Sequence, residues 1–330
     1  MTDQKELPFA SVLEALLTTE DVPVHLIYRL SDLSEADFRH FSKEWQDVAE
    51  ERRVALALHM AEIAEDNFLV DFVPIFTYLF EDRSPTVRIA ALDGLWDSED
   101  LALVGPILEL MRTDDNVSVR AAAARALAHY ILLAEWGQID NSGTAMIVDG
   151  LLAAYDNPRS APEVKRAALE AVSSSYHPRI PELIQDAYEE GSNDLQLSAI
   201  FAMGISADER WLPILEQELS SPSPDFRAEA ARACGIIGND ESIDALEYLL
   251  DDDNQEVGMA AVAALGQIGG ERAYSLLARI AENPQYEIFY EAIEEAIEEM
   301  ESMDEGLNIL ALSEDDDDFD GDMLDELRLN

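Results

Sequence analysis

The feature that most constrains this chain is a motif that returns. A turn of Asp, Asn, Ser or Pro leads into Val-Arg and then into alanines. Asp82-Arg83-Ser84-Pro85-Thr86-Val87-Arg88 precedes Ile89-Ala90-Ala91, and Asp114-Asp115-Asn116-Val117-Ser118-Val119-Arg120 precedes Ala121 to Ala124. Further copies run Pro162-Glu163-Val164-Lys165 and Pro224-Asp225-Phe226-Arg227, each again followed by alanines. Degenerate copies lie at Asp194-Leu195-Gln196, Glu256-Val257-Gly258 and Glu287-Ile288-Phe289, with an early one at Arg52-Arg53-Val54-Ala55. The marked position falls at 53, 88, 120, 165, 196, 227, 258 and 289, so the last four steps are all 31 residues. A period of this size is the signature of stacked repeats, and it decides the fold class before any single residue does.

Each period divides into two amphipathic helices. In one period, Phe226, Ala230, Ala233 and Cys234 form a stripe, Gly238-Asn239-Asp240 ends the helix, and Ile243, Leu246, Leu249 and Leu250 mark a second one. Alanine dominates the first helix because closely packed helices leave no room for larger side chains. Nothing alternates with the period of a strand. A single pair cannot bury its own apolar face, so the pairs must stack. The sequence therefore predicts an all-α chain, an α-solenoid (superhelix) of about seven or eight helical pairs. Residues 1–50 read as N-terminal capping helices, with Ser34-Glu35-Ala36-Asp37 as a capping-box-like start, and residues 51–300 as the solenoid. The 45-residue step from Arg120 to Lys165 implies an insertion around Trp136 to Ala145. Residues 291–330 hold 17 acidic residues and one basic one, so residues 301–330 read as an acidic, disordered tail.

Composition then removes whole classes. Seventy acidic against 21 basic residues give a formal charge of −49 and a pI near 4.1. Nucleic acids and anionic membranes repel such a surface, so neither is an expected partner. A hydrophobic content of 48% is too high for a disordered acidic chain. The single cysteine, Cys234, suits a reducing compartment, and the N-terminus lacks a signal-peptide pattern. The expectation is a soluble, cytoplasmic protein. Only Lys5, Lys43 and Lys165 are lysines, a composition also seen in high-salt cytoplasm, where acidity maintains solubility. That salt-adaptation reading predicts loss of helical circular dichroism in low salt.

The Asp-turn, Val-Arg, Ala-Ala-x-Ala-Leu pattern, with Ala263-Ala264-Leu265-Gly266-Gln267-Ile268-Gly269 among its best copies, resembles HEAT-like repeats of the short phycobilin-lyase type. Gly94-Leu95-Trp96-Asp97-Ser98-Glu99-Asp100 and Ser198 to Gly204 also look like segments of uncharacterised bacterial HEAT-repeat domain proteins. The resemblance implies a solenoid and no particular activity. It also implies that turn Asp and helix Arg pair between neighbouring units. Gln196, Gly258 and Phe289 depart from the Arg position, so the C-terminal half is expected to stack with less polar help.

Chemistry is sparse. None of His25, His40, His59, His129 and His177 is followed by Glu, which sets the chain apart from deoxyhypusine hydroxylase, whose His-Glu pairs hold iron. No histidines stand at ligand spacing, Cys234 has no evident base, and no phosphate loop follows a strand, so no catalytic residue, metal or cofactor is expected. Asp316, Asp318, Asp320 and Gly321 match the first half of an EF-hand loop, but its last position is Leu327. Residues 320–329 could instead form a short amphipathic helix against a basic partner. Second helices of such solenoids line the concave face. By helical phase, Tyr78 and Tyr248 point away from their core stripes, and Trp211 opens a second helix, whereas Tyr155 and Tyr188 lie in phase with the core. The candidate partner-binding residues are Tyr78, Trp211, Tyr248 and Phe319. The sequence reads as a non-enzymatic scaffold or adaptor for a basic protein partner. A bilin lyase-like enzyme or chaperone handling a tetrapyrrole is the alternative.

Overall fold

The computed structural model describes residues 7–19, 22–67, 69–140 and 143–315. Among them every regular element is helical. The N-terminal segment forms α1 (Phe9–Thr18), α2 (Val24–Ile27) and α3 (Glu35–Trp45). Four pairs follow: α4 (Glu50–Asp66) with α5 (Val73–Leu79), α6 (Pro85–Asp93) with α7 (Val104–Thr113), α8 (Val117–Glu135) with α9 (Thr144–Asp156), and α10 (Pro162–Val172) with α11 (Ile180–Glu190). Three more are α12 (Asn193–Ile205) with α13 (Leu212–Glu218), α14 (Pro224–Ile237) with α15 (Ile243–Leu249), and α16 (Gln255–Ile268) with α17 (Gly270–Ala281). The last helix is α18 (Tyr290–Asp315). The seven pairs α4 to α17 match the expected repeat number, and the fold is an all-α solenoid of helical pairs. The chain forms two compact units, residues 1–198 and residues 199–330.

Local chemistry sets the helix starts. Pro85, Pro162 and Pro224 take first-turn positions, where the missing N–H costs nothing. Asn116 and Asn254 accept first-turn N–H groups as N-caps, and the expected cap at Ser34 forms, with Asp37 N–H donating to Ser34 Oγ at 3.2 Å. Gly238, at φ +74°, ends α14 in the left-handed conformation.

In residues 1–198 the first helices pack in the order α4, α6, α8, α10. Their N-terminal ends carry a polar ladder. Arg53 grips Asp82 with Nε and Nη2 at 2.9 and 3.1 Å, and Arg88 grips Asp114 with both distances 2.8 Å. Each turn aspartate also caps its own turn, accepting from Ser84 N–H or Asn116 N–H at 2.8 Å. The third guanidinium nitrogen donates to the arginine's own preceding turn, Val48 O or Asp82 O, at 2.6 Å. The expected pairing between units is therefore present, and it is buried: side-chain exposures are 2% and 4% for Arg53 and Asp82. Where the ladder position is Lys165, its Nζ lies 5.7 Å from the Tyr155 ring centroid instead. Gln196 keeps only a backbone bond, from Nε2 to Tyr188 O at 2.8 Å.

α8 is long and apolar enough to cross a bilayer by length and composition, a feature the sequence reading passed over. Its apolar residues are spent on packing: Val119, Ala123, Leu127, Tyr130 and Ile131 are buried, and it contacts α6, α7 and α10. The 45-residue step is corrected in kind as well. It is absorbed largely by longer helices, 19 residues in α8 against 14 in α14 and 13 in α9 against seven in α15.

In residues 199–330 the same rung recurs between Arg227 and Asp252, at 2.7 and 2.8 Å. Beyond it the chemistry turns apolar. Phe289 occupies the arginine position of the next period and is buried, and a Cβ added to Gly258 would lie 2.3 Å from its Cζ. The ring fills the space that the missing side chain leaves. This is how the C-terminal half dispenses with polar help. The alanine-rich faces meet just as closely: a Cβ on Gly204 would sit 2.7 Å from Ala233 Cα, and one on Gly235 2.7 Å from Ala264 Cα. Gly266 faces Ala296 in the same way. Helix propensity alone would make Gly235→Ala stabilising by about 1 kcal/mol. Here the obstacle is backbone, which cannot swing aside, so we expect Gly235→Ala to destabilise by about 1–3 kcal/mol in chemical denaturation. A gain in stability would show that the helices are not in contact at this point.

The last helix, α18, continues to Asp315. Leu307 to Leu312 include several good helix formers, which outweigh the acidic composition in that stretch. Residues 316–330 lie outside the described residues, and with them the EF-hand-like run and Phe319.

Candidate functional site

The four predicted contact residues end in four different situations. Tyr248, on α15, is 80% exposed and points outward as its phase required. Tyr78 does not. Its ring packs edge-on against Phe38 and Phe41, at 5.9 and 6.4 Å, and its hydroxyl donates to Ser42 O at 2.9 Å. The side chain is out of phase with its own core stripe because it packs on α3 of the N-terminal segment. Trp211 is corrected too. It is 3% exposed, closes the 3-10 turn Glu209–Trp211, and donates from Nε1 to Ser206 Oγ at 3.1 Å. A tryptophan so placed locks the entry of α13 and offers no surface. Phe319 lies outside the described residues. Tyr155 and Tyr188, expected in the core, are half-buried.

Around Tyr248 the surface is charged and internally paired. Arg272 Nη2 donates to Asp244 Oδ1 at 2.9 Å, and Arg279 pairs with Glu247, linking α17 to α15. These residues line a hollow of about 440 Å³ with Ile243, Ser275 and Leu276 on its walls. At its edge Tyr286 Oη and Gln285 Nε2 both donate to Asp251, at 3.1 and 2.7 Å. Burial pushes the Tyr286 phenol above its ordinary pKa, and the bond to Asp251 adds to this, so it stays protonated as a donor. The arrangement offers an aromatic anchor beside carboxylates. It can hold a cationic surface.

Other chemistry is equally quiet. Cys234 is buried, and burial pushes its thiol up to about 11, so it is protonated and inert. Among the described residues no group of three or more His, Cys, Asp and Glu side chains is placed to hold a metal ion. His59 Nδ1 meets Glu62 Oε2 at 2.9 Å on an exposed helix face. A hollow of about 670 Å³ between the turns at 81–83 and 113–116 is lined by Arg88, Asp82 and Asp114, which the ladder already engages. Sequence reasoning missed a different set: Leu69, Trp96 and Trp136 are 89%, 41% and 68% exposed. All three lie in loops, where helical phase gives no signal.

The stacked pairs and buried Arg-Asp rungs define a class, the α-solenoid built of short helical repeats. Residues 212–298 match the family model described as HEAT repeats. The uncharacterized phycocyanin operon protein Z of Pseudanabaena tenuis is 26% identical over 151 residues, 46% of this chain and 71% of that protein. Among solved structures, that of Escherichia coli YibA is 17% identical, with a TM-score of 0.43, over 77% of this chain and 98% of that one. Human deoxyhypusine hydroxylase in complex with glycerol is 16% identical, with a TM-score of 0.35, over 89% of this chain and 96% of that one.

Proposed function

We propose that this protein is a non-enzymatic scaffold or adaptor, acting in the cytoplasm, that binds a basic protein partner. One observation carries the reading. Residues 199–302 contain five arginines and 23 acidic residues, a formal charge of 5 − 23 = −18. All five arginines, Arg210, Arg227, Arg232, Arg272 and Arg279, are in ion pairs with carboxylates of the same chain. The cations are engaged internally and the surplus acid faces outward. On α18, Glu291, Glu294, Glu295, Glu298 and Glu299 are exposed, and the helix contains no basic residue at all. Like charges at these spacings destabilise a lone helix, so their accumulation favours a role in attraction. Such a field steers a basic partner to the surface and raises the encounter rate, and Tyr248 supplies an anchor once it arrives.

The test is a pull-down from the native host with immobilised full-length protein, repeated at two ionic strengths, with every retained protein identified. A stoichiometric basic partner should be retained at about 0.05 M salt and lost at about 0.5 M, where the Debye length falls to a few ångström. Affinity that is unchanged between the two conditions sinks the electrostatic reading. The bilin-handling alternative has behind it only repeat type and the name of the phycocyanin operon relative, and it does not displace the scaffold reading.

A further inference from the structure

Four of the exposed hydrophobic residues share one end of the helix row in residues 1–198. Leu69 follows α4, Trp96 and Leu101 lie between α6 and α7, and Trp136 follows α8; Leu101 is 39% exposed. Because α4, α6 and α8 pack side by side, these connections come together. Trp96 Nε1 reaches Ala64 O at the end of α4, and Tyr130 Oη on α8 reaches Asp100 O, at 3.4 and 3.5 Å. At the opposite end, the turns 81–84 and 114–116 expose no large hydrophobic residue. The asymmetry is specific to one edge.

That edge contains a cleft of about 350 Å³. Its floor is Leu92, Leu95 and Ile107, one wall is the Trp96 indole, and Glu65 and Asp93 stand exposed at its rim. Arg125 also lines the cleft, and its charge only partly opposes the rise that partial burial imposes on the Asp93 carboxyl. Asp97 and Glu99 are exposed on the neighbouring loop and add negative potential. An aliphatic side chain entering here would cover carboxylates without compensating them, and an acidic one would be repelled. A lysine or arginine satisfies both requirements: its methylene stem lies along the leucines and the indole, and its cation meets the rim acids. The exposed Leu69, Leu101 and Trp136 would meet apolar residues flanking that cation.

We propose that this edge docks a segment of a protein partner in which a lysine or arginine is flanked by apolar residues, with the basic side chain seated beside Trp96. The proposal rests on the basic-partner reading above and moves the anchoring contact to a surface that reading does not use.

Two fluorescein-labelled peptides of equal charge, one alternating Lys with Leu and one alternating Lys with Gly, are titrated with the full chain at low salt. The Lys-Leu peptide should bind about tenfold more tightly than the Lys-Gly peptide, and Trp96→Ala should abolish that advantage. Glu65→Lys, at an exposed position that does not threaten folding, should weaken Lys-Leu binding about fivefold, while Met259→Ala, at an exposed apolar position in residues 199–330, should leave it unchanged. Equal binding of both peptides, indifferent to both edge variants, overturns the docking edge and leaves the basic-partner reading standing. Failure of both peptides to bind overturns the docking edge and the basic-partner reading together. An equally tight Glu-Leu peptide overturns the proposed basic side chain.

Discussion

Replacing Asp82 by alanine should cost residues 1–198 about 3–5 kcal/mol, read as a fall in melting temperature of roughly 6–20 °C. The reason is the number of donors that converge on one buried carboxylate. Arg53 donates twice, Ser84 N–H once, and Trp45 Nε1 once at 2.7 Å. Removing the acid leaves the Arg53 cation, with a side-chain exposure of 2%, and an indole N–H without their acceptor. Neutralising both partners, as in Arg53→Met with Asp82→Leu, should recover part of the loss, because the net worth of the intact pair is smaller than the cost of breaking it. A loss below about 1 kcal/mol for Asp82→Ala would mean that the rung is open to water.

The same rung sets an acid limit. Burial alone would raise the Asp82 pKa, but the bonds from Arg53, Ser84 and Trp45 outweigh it and hold the group below its ordinary value. A depressed folded-state pKa contributes stability that is fully present above the unfolded value of about 3.9 and is lost as pH falls through the folded value. The gap between wild type and Asp82→Ala should therefore be widest at neutral pH and narrow below about pH 4. Asp252 is held low by its bond from Arg227 in residues 199–330 and should behave alike.

Phe289→Ala should be comparably severe in the other part of the chain, at about 3–5 kcal/mol, because a buried ring is lost from a slot that nothing else fills. The interesting variant is its partner. Restoring the repeat's arginine at position 258 is the kind of consensus change that ordinarily stabilises. Here even a Cβ at Gly258 would come 2.3 Å from the Phe289 ring, so Gly258→Arg should destabilise. Gly258→Ala should cost much less in the Phe289→Ala background than alone, a coupling visible in a double-mutant cycle by urea denaturation. Additive losses would show that the two positions do not touch.

What could be read from the sequence was what repeats. The helical pairs and the outward Tyr248 followed from spacing, because each depends on the chain's own period, whereas the Arg-Asp rungs were implied by the resemblance to HEAT-like repeats. The errors arose where a neighbour outside the period intervened. Tyr78 is out of phase with its own helix but faces the irregular α3, and Trp211 belongs to a 3-10 turn in which a period of 3.6 has no meaning. Trp96 and Trp136 lie in connections, where only the packing of α4, α6 and α8 reveals that they share one end of the helix row. The glycines at 204, 235 and 266 were spaced by 31 in plain view, yet their meaning depends on the alanines that face them.

Those close-set glycines and alanines have a consequence for how such a chain can lengthen. Gly204 meets Ala233 and Gly235 meets Ala264 in the following period, so a copy of residues 224–254 inserted after residue 254 would present the same surfaces to both neighbours. Gly235 would meet the copy's alanine at the Ala233 position, the copied glycine would meet Ala264, and each arginine would find an aspartate. Growth by tandem duplication of this unit thus creates no new glycine-alanine interface to be optimised, and it leaves the contact between Phe289 and Gly258 untouched.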